Sequence, residues 1–297
     1  MTADGGTLVT MQKQDTEALW LAPNNDAVRA VRVMQETAKF NHPSWTPDGR
    51  LLYESTAGGN RNIWLVNADS TNKKQLTNQC NCVDPQMTSD GRYIVYTLYN
   101  MNWIGHVWRM DPDGGNQKQL TNGMSEQWPT LSRDSKWVIY QQAGDNEQAS
   151  SLWRIPIEGG TPLQLTTTRA YDPTVSPRDG SVAYQFLDKQ ENYAHKISII
   201  PPDGGAPIKT FAYPKEGAQS SIIRFTPDGR SLAFIGKRDA EANIWTIPAD
   251  GKGEAKPLTS FKTETIFRFF SWSSDGKQLA LIRGTSATDV VLLSEAK

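Results

Sequence analysis

Short apolar runs recur along the chain: 51–53, 93–96, 137–140, 182–184, 232–234 and 279–281. Each is only three or four residues long, and each follows a polar turn. Runs this short, rich in aromatic and β-branched residues and bounded by turn residues, predict strands rather than helices. The turn ahead of each run carries an acidic residue, at Asp4, Asp48, Asp90, Asp134, Asp179, Asp228 and Asp275, at spacings of 44, 42, 44, 45, 49 and 47. Glycine follows in every copy except Asp134-Ser135. A third apolar run is marked by Trp20, Trp64, Trp108, Trp153 and Trp245, with Ser198 and Val291 in register where the tryptophan is missing. Next comes a glycine turn such as Asp113-Gly114-Gly115, and then a fourth run ending in Leu-Thr at 120–121, 165–166 or 258–259. Asp-Gly and Gly-Gly between apolar runs are hairpin signals.

Four short antiparallel strands repeated at this period predict the blades of a β-propeller. The fold class expected is therefore all-β. Five full blades span 42–77, 85–121, 129–166, 173–210 and 223–259, with three strands left over at each end. The leftover strands predict seven blades, the first and last incomplete. The alternative is six blades, with surplus strands at the N-terminus. Residues 1–297 read as one domain without linkers, and the start inside a repeat suggests a piece of a longer protein.

Trp45-Thr46-Pro47-Asp48-Gly49-Arg50, followed by Asn62-Ile63-Trp64-Leu65 and Gln75-Leu76-Thr77, resembles the WD-like repeat of TolB-type propellers over essentially the whole chain. It is most similar to the C-terminal propellers of bacterial membrane-anchored serine/threonine kinases and winged-helix regulators. That resemblance implies a bacterial, extracytoplasmic sensor or interaction module, periplasmic as part of a larger protein, with a cytoplasmic place as the alternative. The chain itself has neither the His-Arg-Asp nor the Asp-Phe-Gly motif of a kinase.

In a four-stranded meander the Pro-Asp-Gly and Asp-Gly-Gly turns share one face, and being short and alike they read as scaffold. The connections on the other face vary in length, and variable loops on a rigid frame are where binding residues concentrate. Next to the channel these connections contain His42, Asp84, Trp128, Arg169, Tyr171, Asp172, Arg268 and Phe269. That mixture of aromatic, acidic and basic groups suits a protein partner or a small polar ligand. Asp84 and Asp172 could converge as a carboxylate pair. The in-register tryptophans are expected to pack between blades rather than to stack on sugars; Trp128 breaks their register.

The remaining features mainly exclude. A formal net charge of −1 provides no field to draw in nucleic acid. No apolar run is long enough to insert in a membrane, and a monomeric domain is expected. His42, His106 and His195 fall in different blades, the latter two in outer loops, so neither a shared metal site nor a cofactor is expected. Cys80 and Cys82 lie so close that a bridge would be strained, and free thiols are expected. No Gly-x-Ser-x-Gly or His-Glu-x-x-His motif is present. A non-catalytic binding propeller is the first expectation, and a propeller enzyme, a polysaccharide lyase or hydrolase acting at the channel mouth, is the alternative.

Overall fold

The computed structural model describes residues 7–26, 28–36, 39–144, 150–217, 222–238, 241–262 and 265–294; within them, nothing is said of the side chains of 7–15, 36, 40, 238, 265–268 and 285–294. The strands form six four-stranded antiparallel sheets. Blade 1 comprises Phe40–Trp45, Leu51–Gly58, Asn60–Val66 and Lys74–Gln75. Blade 2 comprises Asn81–Met87, Ile94–Tyr99, Gly105–Met110 and Lys118–Gln119. Blade 3 comprises Glu126–Leu131, Trp137–Gln142, Ser151–Pro156 and Leu163–Gln164. Blade 4 comprises Tyr171–Val175, Val182–Asp188, Ala194–Ile200 and Lys209–Ala212. Blade 5 comprises Ile223–Phe225, Ser231–Arg238, Glu241–Pro248 and Lys256–Pro257.

The sixth blade replaces the two incomplete ones expected at the ends. Thr265–Trp272 and Gln278–Ser294 supply its inner and second strands, and Thr7–Pro23 and Val31–Glu36 its third and outer strands. The surplus N-terminal strands are therefore the missing half of the last blade, and the ring has six blades, not seven. The turn at Asp4 lies outside the described residues. Val291, placed by register in a separate third strand, instead belongs to the 17-residue second strand and pairs with Thr10.

Side-chain chemistry explains the repeat. At every described turn but that of Asp179 the Ser or Thr two residues ahead donates to the Asp carboxylate, as from Thr88 Oγ1 to Asp90 Oδ1 at 2.6 Å and from Ser273 Oγ to Asp275 Oδ1 at 2.6 Å; at Asp179 the donor is Ser181 Oγ. The same oxygen accepts the backbone N–H two residues on, as from Arg92 and Lys277. These contacts close an Asx-type turn and hold the Asp carboxyls low; at Asp48 the bond from Arg50 brings the pKa to about 2. The threonine of each Leu-Thr pair extends a two-residue outer strand by accepting from the third strand: Ile63 N to Thr77 Oγ1, Val107 N to Thr121 Oγ1 and Leu152 N to Thr166 Oγ1, each 2.9 Å.

The core is divided into six apolar clusters, one for each junction between neighbouring blades. Tyr53, Tyr96, Tyr140 and Phe234 occupy one register of the second strands and are fully buried. The tryptophans pack against these clusters as expected, but to differing degrees: Trp245 is buried, whereas Trp20, Trp64, Trp108 and Trp153 are half-buried. Cys80 and Cys82 form a disulfide, correcting the expectation of thiols. Residues i and i+2 of an extended segment point to the same side, and the chain brings these two Cα atoms to 5.3 Å, within ordinary bridging distance.

Thr7–Pro23 pairs with Gln278–Ser294 over 17 residues, but the flanking strands support only part of this ladder, from Glu17 and Gly284 inward. The rest is a two-stranded ribbon leaving the blade on the side of the second-to-third connections. Amides of 17–23 and 278–284 should show hydrogen-exchange protection like that of blades 2–4, and those of 7–16 and 285–294 should exchange much faster, since an isolated hairpin is marginal in water. Equal protection along the whole ladder would contradict this. Trp245→Ala should cost about 3–5 kcal/mol and Trp64→Ala clearly less in urea unfolding; equal losses would show that burial does not set the difference.

Candidate functional site

The inner strands line the central channel, and four of them share an irregularity. In blades 1–4, two inner-strand residues oppose a single second-strand tyrosine: His42-Pro43 opposite Tyr53, Asp84-Pro85 opposite Tyr96, Trp128-Pro129 opposite Tyr140, and Asp172-Pro173 opposite Tyr184. This is a β-bulge. It is where a proline costs the ladder least, because it has no N–H to lose. The residue ahead of each proline has positive φ: 44° at His42, 57° at Asp84, 54° at Trp128 and 53° at Asp172. That region is disfavoured for a side chain of any size, and more so before proline. The four residues expected in loops therefore lie inside strands, held in a strained conformation by the bulge. The four prolines lie within the inner strands rather than at their starts.

The strain is held by interactions between blades. The Asp172 carboxylate accepts from Gln185 Nε2 at 2.9 Å and, across the junction with blade 5, from Ile223 N at 2.9 Å and Arg224 Nη1 at 3.3 Å. Burial pushes the Asp172 carboxyl up, and the Arg224 charge and these donors oppose it. His42 Nε2 lies 2.7 Å from Asp84 Oδ1 in the next blade, and Nδ1 lies 3.1 Å from Glu54 Oε2. Its ring also packs against Phe269 of blade 6, centroids 3.6 Å apart. Burial alone would lower the His42 pKa, but the carboxylates of Asp84 and Glu54 outweigh it and raise it to about 9.

Of the eight candidates, His42, Asp84 and Phe269 are thus brought into contact. Asp172 makes its contacts with Gln185 and blade 5 whereas Asp84 contacts His42 of blade 1, so the two carboxylates share no partner among the described residues; Glu54 and Asp84 instead flank His42. Tyr171 and Asp172 are adjacent in the strand yet have different partners: the Tyr171 hydroxyl bonds His195 Nε2 at 2.7 Å, with the Arg169 guanidinium 5.8 Å from the Tyr171 ring. Burial raises the Tyr171 pKa to about 12 and lowers that of His195. Arg268 lies in the sixth blade's bulge, between the Ile266 and Phe270 pairings; its side chain is outside the described residues. His106 and His195 start third strands rather than occupying loops, and His106 Nδ1 meets the buried Glu126 at 2.8 Å.

Trp128 differs from the other bulge residues. The residue is 36% exposed, and on the same face Trp103, Met101 and Met124 are also exposed. Trp103 also has positive φ, 59°, as does Tyr193, 61°. Reading the loops overlooked Glu54, Thr97, Gln141 and Gln185. These buried polar residues each follow the core tyrosine in the second strand, and their recurrence at one register within apolar runs was the available signal.

Raising a His pKa in the folded state adds stability that is fully present below the ordinary value of 6.5 and is lost as pH rises through about 9. Urea midpoints should fall between pH 6.5 and 9 in the wild-type protein. His42→Gln should lower stability at pH 6.5 and flatten that slope. An unchanged slope in the variant would remove His42 as its source.

The comparisons with known proteins agree with this architecture. No curated protein matches the chain. TolB from Acinetobacter baumannii superposes with a TM-score of 0.64 at 18% identity, over 82% of this chain and 65% of that one. The oligogalacturonate lyase from Vibrio parahaemolyticus gives 0.54 at 17% identity, over 92% and 78%. A protein described as TolB from Agrobacterium tumefaciens gives 0.70 at 20% identity, over 91% of this chain and 99% of that one. At these identities the superpositions show the fold alone. The family described as the TolB beta propeller domain matches residues 2–179, more than half of the sequence, and the chain belongs to that family.

Proposed function

We propose that this propeller is a non-catalytic binding module that engages a protein partner at the channel mouth, on the face carrying Trp128. One contrast supports the reading most. The acidic bulge residues have their carboxylates engaged by neighbouring blades, whereas the aromatic one in the same strained conformation is left open to solvent. Strain of this kind tends to persist where the surrounding structure over-determines it and function uses it. Exposed tryptophan and methionine are residues from which binding surfaces are commonly built. The resemblance to the C-terminal propellers of bacterial signalling proteins supports reading the module as the extracytoplasmic, sensory end of such a protein.

The enzyme alternative has support in propeller neighbours that are lyases or, as in Xanthomonas campestris, a gluconolactonase. Its natural general base would be His42. A pKa of about 9 keeps that imidazole protonated at neutral pH, which suits a structural clamp rather than a base.

A photo-crosslinking amino acid placed at position 128, compared with one at exposed Asp228 on the opposite face, tests the proposal in producing cells. A discrete crosslinked protein at 128 and none at 228 is the expected result. Equal crosslinking at both positions, or turnover of polygalacturonate by the purified protein that His42→Gln abolishes, would overturn it.

A further inference from the structure

On the short-turn face, opposite the channel mouth, the blade junctions are not equivalent. Between blades 2 and 3 the Arg109 guanidinium lies 3.9 Å from the Tyr93 ring centroid, and Nη2 bonds Glu158 in the third-to-outer turn of blade 3 at 2.8 Å. Between blades 3 and 4 the pattern repeats: Arg154 lies 4.3 Å from the Trp137 ring centroid, and Nη1 bonds Asp203 at 2.5 Å. A ring and a guanidinium thus fill the gap and tie one blade to the next.

Between blades 4 and 5 both filling groups are missing. Ile199, paired with Ala183, stands in the register of Arg109 paired with Val95 and Arg154 paired with Ile139. Ser181 stands where Tyr93 and Trp137 stand. Asp250 occupies the turn position of Glu158 and Asp203, but no arginine reaches it among the described residues; it accepts only the Lys252 backbone N–H, at 2.9 Å. In their place is an open cavity of about 360 Å³, floored by Ile199 and Phe225. A cavity of this size accommodates a small organic ligand.

Three cations reach its rim: Arg178, Lys209 and Arg230. None forms an ion pair or side-chain hydrogen bond with another described residue, whereas Arg109 and Arg154 do. Two acids line the cavity. Asp179 is taken up by the amide and hydroxyl of Ser181, and the nearby Arg178 charge helps to hold its carboxyl low. Asp250 is the other. The balance is cationic, over an apolar floor where neighbouring gaps hold a ring.

We propose that this gap binds a small organic anion. Its flat apolar body would lie over Ile199 and Phe225, in place of the missing ring and guanidinium, with a carboxylate or phosphate held by Arg178, Lys209 and Arg230. Arginine pairs with such planar or tetrahedral oxyanions through charge-assisted bonds. The site is independent of the channel mouth, and either could fail without the other.

Calorimetric titration with phenyl phosphate, benzoate, neutral benzamide and cationic benzamidine tests the proposal, with amide NMR shifts at Ser181 and Gly229 locating the ligand. Both anions should bind saturably and shift those amides. The Arg178→Ala/Arg230→Ala double variant, altered only at exposed side chains, should bind phenyl phosphate at least about tenfold more weakly. Ser181→Tyr/Ile199→Arg rebuilds the neighbouring clamp and should abolish binding in a protein that still folds. The proposal is overturned if no probe saturates at millimolar concentration, if benzamide or benzamidine binds as tightly as the anions, or if the double arginine variant binds like wild type.

Discussion

The ring depends on one pairing between distant parts of the chain: the third strand of the sixth blade comes from residues 7–23 and its second strand from 278–294. Each blade buries one face against the next, so a ring with an unfinished blade would expose apolar surface at the junctions on both sides. Leu19, Leu21, Ala280 and Ile282 belong to the cluster shared with Trp45, Leu51 and Tyr53 of the first blade, and Ala22, Leu279 and Leu281 to the cluster shared with the fifth. Closure therefore completes two of the six core clusters as well as a hydrogen-bond ladder. It carries the loop-closure cost of joining the ends of the chain, and it removes the sheet edges that two incomplete blades would have left open.

This dependence also explains which features were legible in the sequence. Strand types, turn chemistry and the four-strand period are local and were readable, because Asp-Gly turns and Tyr or Trp at fixed offsets act within a few residues. The number of blades was not readable, because it depends on whether two incomplete units at opposite ends of the chain are two blades or one. Val291 illustrates the difficulty: its register offset suits a third strand, but the second strand continues through it because its partner comes from the N-terminus. The candidate site was legible in composition but not in geometry. His42, Asp84, Trp128 and Asp172 were recognised as channel-side residues, yet nothing local showed that each lies in a bulge at positive φ. The bulge is a property of the pairing with the second strand, and a proline in a sequence looks the same at the start of a strand as within one.

The bulges make the inner ends of the blades interlock. In a regular ladder the side chains at these positions would interact only within their own sheet. The turned backbone at Asp172 instead lets its carboxylate reach a main-chain amide of the next blade, and the turned backbone at His42 places an imidazole between acids of two blades. The cost of positive φ before proline is offset by hydrogen bonds that join otherwise separate sheets. Trp128 has the same backbone and makes no such hydrogen bond among the described residues, so its conformation is held by its neighbours and its side chain remains available.

Similar repeats also make their departures informative. Two successive junctions on the short-turn face use the same aromatic, arginine and turn acid, and the next keeps the acid while losing the other two. An isolated Ser181 or Ile199 would be unremarked in a strand. Set against Tyr93 with Arg109 and Trp137 with Arg154, the two mark a junction that lacks both the surface packing and the ion pair tying the preceding blades. The apolar cluster beneath, with Phe225, Phe234 and Trp245, keeps the fourth and fifth blades joined without them. A junction stable enough to lose its surface clamp can leave a cavity at that surface without opening the ring.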